Sequence, residues 1–345
     1  MLKNIFGMTI DELITALAPW KVPSYRAKQI AEWMYQKGAK SFAEMTNLPK
    51  RLREELSTEL SISCAQIRDR QDSSDGRTSK FLLEFVDGTA VETVLMRQPY
   101  GNSICVSTQA GCNMGCVFCA STLHGMVRNL TAGEILAQAV FINDLLRPDG
   151  GKVDTMVIMG SGEPLMNYEA VLAFIRLIHE PYTLYMGYRN ITLSTSGIVP
   201  NIYRLADEGL PITLSISLHA PNQELRSELM PINRRYALAD VVAAGRAYAN
   251  QTKRRVTYEY ILIADVNDRE KEAAELCSLL RGQLASVNLI PINPVLERNL
   301  QRPSQERIDA FASYLEQHHL TVTVRREMGR DIQAACGQLR NKHLE

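Results

Sequence analysis

Residues 103–119 read SICVSTQAGCNMGCVFC. The segment opens as a β-rich run, SICVSTQ, and breaks into a loop holding Cys112, Cys116 and Cys119 at C-x3-C-x2-C spacing. A fourth thiol, Cys105, sits in the strand upstream of that run. Four of seven cysteines therefore fall within fifteen residues. Clustered thiols in an odd total do not make a secreted disulfide framework; they point to a metal centre or to catalysis.

The chain beyond the loop sets the fold. TAGEILAQAVFINDLL (131–146) reads as a helix, with Thr131 and Glu134 placed as a capping box. Then strands and helices alternate: VDTMVIMG and NYEAVLAFIRLIHE, NITLSTS and VPNIYRLADEG, PITLSISL and ALADVVAAGRAYANQTK. RVTYEYILI, REKEAAELCSLLRG, ASVNLIPI and SQERIDAFASYLEQHH continue the pattern, and TVTVRR ends it. About six βα units imply a parallel sheet with helices outside. Six are too few for an eight-fold barrel, so an open partial (β/α)6 barrel is expected, with its chemistry at the C-terminal ends of the strands.

Upstream, TIDELITAL, SYRAKQIAEWMYQKG and LPKRLREELSTEL carry helical apolar spacing, with Thr9 and Ser24 as N-cap candidates and Gly38 as a stop. In SKFLLEFVDGTAVETVLMRQ, Asp87-Gly88 between two β-rich runs signals a hairpin. The expected layout is a helical accessory domain (1–64), a β-hairpin extension (65–100), the partial barrel (101–330) and a C-terminal tail (331–345). With 46% hydrophobic and 22% charged residues the composition is that of a globular protein. No membrane span or secretory signal is read from the sequence, so a cytoplasmic location is expected. The 38 basic and 38 acidic residues cancel, which argues against a strongly basic nucleic-acid binder. Local basic clumps at Lys50–Arg51, Arg234–Arg235, Lys253–Arg255 and Arg325–Arg326 still permit an RNA partner.

Three thiolates in one loop can hold a cubane iron–sulfur cluster while leaving one iron open, since such clusters normally take four cysteines. A zinc site with His124 as fourth ligand would want a second, separated ligand pair, and none is present. Further polar residues close successive strands: Gly162 and Glu163 in MGSGEP, Ser194 in STSG, Ser217 and His219 around Leu218 in SISLHA, and Asn293 in IPINP.

The loop and these strand ends resemble the radical S-adenosylmethionine (SAM) enzymes. Over nearly the whole chain the likeness is to the RlmN/Cfr family of radical SAM RNA methyltransferases. It is carried by YRAKQIAEWMY, VETVLM, STQAGCNMGCVFCAS, RNLTAGEI, MGSGEPLMN, SLHAP, LMPINRRY, NPV and the tail RDIQAACGQL. The resemblance implies a [4Fe-4S] cluster on Cys112, Cys116 and Cys119. It implies SAM held by Gly162, Glu163, Ser194, Ser217, Leu218, His219 and Asn293, two molecules per turnover. Cys336 would accept a methyl group, Glu92 would be the proton acceptor, and Cys105 would resolve a covalent RNA adduct through a disulfide with Cys336. Substrates would be an adenine of 23S rRNA, methylated at C2, and an adenine of tRNA. An external electron donor and a thiol reductant would be needed, and family precedent is a monomer. The sister activity at adenine C8 shares these motifs; a non-catalytic RNA-binding iron–sulfur protein would have no use for Cys336, Cys105 or Glu92. In the accessory domain, Arg26, Lys28, Lys50, Arg51 and Arg53 are candidate phosphate contacts. Cys64 and Cys277 match no motif and read as packing residues.

Overall fold

The structure is a computed structural model, describing residues 2–63, 65–295 and 297–339. Cys64 and the tail beyond Leu339 lie outside the described residues. The N-terminal module comprises α1 (Ile10–Leu17), α2 (Tyr25–Tyr35) and α3 (Lys50–Glu59). It is closed by a short parallel pair, β1 (Lys3–Asn4) with β2 (Leu60–Ser61). Thr9 caps α1 in a full capping box with Glu12. Ser24 stands at the start of α2 but makes no side-chain cap; its backbone is already helical there. The buried stripe Leu13, Ala16 and Leu17 packs with Ala27, Ile30, Ala31 and Met34 of α2 in the main core. Module and barrel meet closely, because a Cβ on Gly7 would sit 2.2 Å from the Gly133 Cα.

Three antiparallel strands follow: β3 (Gln66–Asp72), β4 (Thr78–Glu84) and β5 (Ala90–Gln98). The expected turn at Asp87-Gly88 joins β4 to β5, with Gly88 at φ +82°. β5 then pairs antiparallel with β6 (Gly101–Cys105). A small separate ribbon, β7 (Gln109–Gly111) with β8 (Met126–Asn129), grips the cysteine loop at its base. The strands that continue from β6 are parallel: β9 (Thr155–Ile158), β10 (Ile191–Thr195), β11 (Thr213–Ser217), β12 (Val256–Leu262), β13 (Ala285–Pro291) and β14 (Thr321–Val324). With β3 to β6 they form one ten-stranded sheet, ordered β14-β13-β12-β11-β10-β9-β6-β5-β4-β3. Helices α4 (Ala132–Leu146), α5 (Tyr168–His179) and α6 (Val199–Asp207) make the first return crossings. A short α7 (Gln223–Leu229) precedes α8 (Leu238–Thr252), and α9 (Glu270–Leu280) and α10 (Gln305–Gln317) complete the set. The six βα units and the Thr131–Glu134 capping box thus stand as the sequence implies.

The two faces of the sheet carry different chemistry, as the period of two along a strand requires. Leu95, Ile104, Met156 and Ile191 are register neighbours, fully buried in the main core. The adjacent row runs Lys80, Val94, Cys105, Val157, Thr192, Thr213. From Cys105 to Thr213 it faces an interior chamber of about 630 Å³ that Ser215, Glu259 and Asn288 also line. Hydroxyls and small side chains along this row leave a hollow barrel rather than a filled one. The chain after β14 returns across the open seam toward β4 and β5. Asp331 accepts from the Ser74 amide (2.8 Å), and Leu339 packs with Val94 and Cys105.

Candidate active site

The cysteine loop is fastened at several points. The Cys112 amide donates to the Gly125 carbonyl (3.1 Å) and the Val117 amide to the Leu229 carbonyl (3.0 Å). The Asn113 side chain accepts from the Met126 amide at 2.8 Å. Thr122 donates its hydroxyl to the Cys119 carbonyl at 2.9 Å. The three thiols line one cavity of about 160 Å³ with Gly162, Glu163, Ser194, Ser217 and His219. Burial pushes Cys112 up to about 12, and raises Cys116 and Cys119 as well. A cationic metal centre is what would hold such buried sulfurs as thiolates. Among the described residues no three His, Cys, Asp or Glu side chains converge tightly enough for a single metal ion. The spread of three thiols around one cavity fits a cluster, whose several irons reach separate ligands, and His124 is exposed.

The turn after β9 packs on the strand entering this loop. Gly162 has φ +106°, and a Cβ there would lie 2.6 Å from the Gln109 Cβ and 2.8 Å from its amide nitrogen. The next amide, Glu163, donates to Gln109 Oε1 (2.8 Å). Gly162→Ala should therefore cost a few kcal/mol or displace the turn, through both contact and backbone strain. The expected result is a clear fall in Tm, read by thermal unfolding.

The Glu163 carboxylate is turned inward. It accepts from the Leu165 amide (2.9 Å), the Thr195 hydroxyl (2.7 Å) and the Ser196 amide (2.6 Å). Desolvation raises its pKa and these donors oppose the rise. Its visible work is to tie the ends of β9 and β10 together at the cavity wall. Leu218 lines neither cavity: it is fully buried, its amide donating to the Glu259 carbonyl and its carbonyl accepting from Arg226. His219, at φ +60°, does line the cavity. Its Nδ1 accepts from the Ile261 amide (3.0 Å), and burial, then nearby Arg226, lowers its pKa to about 3. It is a neutral imidazole with its proton on Nε2. The edge-to-face contact with Phe118 at 4.7 Å fixes the ring beside the cysteine loop.

Arg226 was not visible as a site residue in the sequence. It is fully buried and bonds the carbonyls of Ser196 (2.7 Å), Ser217 (3.1 Å) and Leu218 (3.2 Å), and Asn233 Oδ1 (2.7 Å). One guanidinium thus organises the ends of two successive strands; five donors in a rigid fork suit that task. The signal available was LMPINRRY downstream of SLHAP, whose Asn233 is its partner.

The tail brings the remaining thiols together. Asn293 Nδ2 donates to the Cys336 carbonyl (3.1 Å), and Gln338 to the Pro294 carbonyl (2.9 Å). Gly337 accepts from the Ala120 amide (2.7 Å), and Leu339 from the Ser121 hydroxyl (2.7 Å). Cys336 consequently lines both the loop cavity, with the three thiols, and the interior chamber, with Cys105. Both Cys105 and Cys336 are free thiols. Burial first, and then the charge of neighbouring Cys336, push Cys105 up to about 12; Arg325 opposes this. Arg325 is itself raised, first by Cys336 and also by Glu259 and Cys105. Its side chain lines the chamber together with both thiols. Glu92 is buried on β5 and ion-paired to Lys80 at 3.0 Å.

In the accessory module the basic candidates are largely committed. Arg26 donates to Gln29 and to the Asn47 carbonyl, Arg53 to the Ala43 carbonyl, and Arg51 and Lys50 pair with Glu55 and Glu54. Lys28 is exposed. Cys277 packs in the main core as expected. No helix of the described residues is long and apolar enough to cross a membrane.

A partial barrel with a three-cysteine loop after its first parallel strand is the architecture of a radical SAM enzyme, and residues 106–277 match the Radical SAM superfamily. Residues 3–62 match the ribosomal RNA large subunit methyltransferase N-terminal domain. A "probable dual-specificity RNA methyltransferase RlmN" of Symbiobacterium thermophilum is 55% identical over 97% of this chain and 91% of its own. One from Geobacillus kaustophilus is 51% identical over 99% and 93%. The crystal structure of a radical SAM methyltransferase from Sphaerobacter thermophilus superposes with a TM-score of 0.95 at 47% identity, covering 98% of this chain and 99% of that one. The chain belongs to the RlmN family of dual-specificity, radical SAM RNA methyltransferases.

Proposed function

We propose that this enzyme methylates C2 of an adenine in 23S rRNA, and of an adenine in tRNA, by way of the Cys336 sulfur. The observation that carries the reading is the docking of the tail, which puts Cys336 on the wall shared by the cysteine-loop cavity and the Cys105 chamber. Adenine C2 is electron-poor and a weak nucleophile, so direct polar transfer from SAM is not open to it. A [4Fe-4S] cluster on Cys112, Cys116 and Cys119, with two SAM per turnover, would supply a methyl cation equivalent, an adenosyl radical and a one-electron relay.

The chain's own residues then have separate tasks. Cys336 takes the methyl on sulfur by nucleophilic displacement, giving up its thiol proton. After one methyl hydrogen is removed, the Cys336-bound carbon radical bonds to adenine C2. Glu92 receives the proton displaced from C2; the cluster, when bound, would take up the electron that leaves with it. Cys105 attacks the Cys336 sulfur as thiolate, forming an S–S bond as the S–C bond breaks. The released carbon keeps that electron pair and takes a proton to become the product methyl. An external dithiol reduces the disulfide and restores both thiols. Arg325, which lines the chamber with both sulfurs, counters the burial that holds the Cys105 thiol protonated.

Nuclease digestion and mass analysis of rRNA and tRNA incubated with the reduced holoenzyme and SAM test this reading. The expected product is 2-methyladenosine in both. Methyl at C8, or on neither RNA, overturns it.

A further inference from the structure

Lys80 is an unusual residue to find inside a sheet. It is 4% exposed, and burying an ammonium is costly unless its donors are matched. Its Nζ lies 3.0 Å from Glu92 Oε1 and donates to the Gln333 carbonyl at 3.3 Å. The first contact is to β5; the second is to the tail, three residues before Cys336. Gln333 has φ +53°, a left-handed conformation that a non-glycine residue adopts only when its surroundings impose it. The turn is closed by the Ala334 amide donating to the Gly329 carbonyl (2.8 Å). Lys80 also belongs to the register row Lys80–Val94–Cys105, so the residue level that carries the resolving thiol carries this cation two strands away.

We propose that Lys80 is a positioning residue that sets the Glu92 carboxylate and the Cys336-bearing turn in register with each other. One ammonium touches both, so the contact that holds the carboxylate also seats the tail. The inference rests on the reading of Glu92 as the acceptor of the adenine proton. Without the cation, Glu92 loses this ion pair, while Cys336 keeps its independent anchors at Asn293 and Ala120. The first half of the cycle should then survive and the second half fail.

The test compares the parent enzyme with Lys80→Met, Lys80→Arg and Glu92→Gln, as reconstituted holoenzymes on protein-free 23S rRNA. Three quantities are measured: methyl on the Cys336 peptide, 5′-deoxyadenosine formed, and methylated RNA. For Lys80→Met the expected result is parental Cys336 methylation, with 5′-deoxyadenosine per methylated RNA rising on the order of tenfold or more. Lys80→Arg, which restores a cation, should bring that ratio back toward the parent. Glu92→Gln should show the same uncoupling or a larger one. A parental ratio in Lys80→Met beside an uncoupled Glu92→Gln overturns the role of Lys80 and leaves that of Glu92 standing. A parallel fall of Cys336 methylation, 5′-deoxyadenosine and product in Lys80→Met, not restored by arginine, would mark a merely structural lysine and also overturns it. Tight coupling in Glu92→Gln overturns the general-base reading and the inference with it.

Discussion

Cys336→Ala is expected to lower RNA methylation by about 10³-fold or more, because the sulfur proposed to accept the methyl group is gone. The fold should survive the change. Cys336 is only half-buried, and its tail is held by the backbone: the Cys336 carbonyl to Asn293, the Gly337 carbonyl to Ala120, and the Leu339 carbonyl to Ser121. None of these needs the thiol. Thermal unfolding of the variant should therefore match the parent within the small margin of a half-exposed substitution, about 0.5 kcal/mol. Methyl incorporation from labelled SAM, read on RNA and on protein, checks the prediction. Substantial methylated RNA from a folded Cys336→Ala enzyme would remove the tail from the chemistry.

Cys105→Ala should fail differently. The early steps of the proposed cycle do not use Cys105, so the RNA should become joined to Cys336 and stay joined. The expected result is a stable protein–RNA crosslink approaching one per active enzyme, with little free methylated RNA. Denaturing electrophoresis after nuclease treatment, followed by peptide mass analysis, would show the modified residue to be Cys336. Cys105 is packed with Val94 and Leu339, and losing its sulfur should cost about 1 kcal/mol, too little to unfold a domain. Free product at the parental rate, with no crosslink, would contradict the resolving role.

The parts of the architecture legible in the sequence were those encoded locally. Six βα units follow from periodicity, the turn at Asp87-Gly88 from the residue types it demands, the α1 start from the N-cap residue Thr9 and the α4 start from the capping box at Thr131. β3 was not legible. QIRDRQD lacks apolar alternation because it is the exposed edge of the sheet, where charge discourages further pairing. The β7–β8 ribbon is too short to leave a pattern, and its register is broken between Ala110 and Gly111. At the site, the loop thiols and strand-end residues announced themselves by motif. Contacts made across the fold did not. The inward turn of the Glu163 carboxylate depends on Thr195 and Ser196, some thirty residues on, and the Lys80 contact to the tail spans 253 positions. Such pairings are set by how strands meet in three dimensions, and no local pattern reports them.

The path of the methyl carbon tests the account most directly. Cys336 is first loaded with a trideuteromethyl group from labelled SAM, the free label is removed, and a single turnover is run with unlabelled SAM and reductant. The account predicts that the RNA methyl comes from Cys336 and has lost one deuteron, and that the missing deuteron is found in 5′-deoxyadenosine. An RNA methyl drawn wholly from the second, unlabelled SAM, with the label left on Cys336, would contradict it.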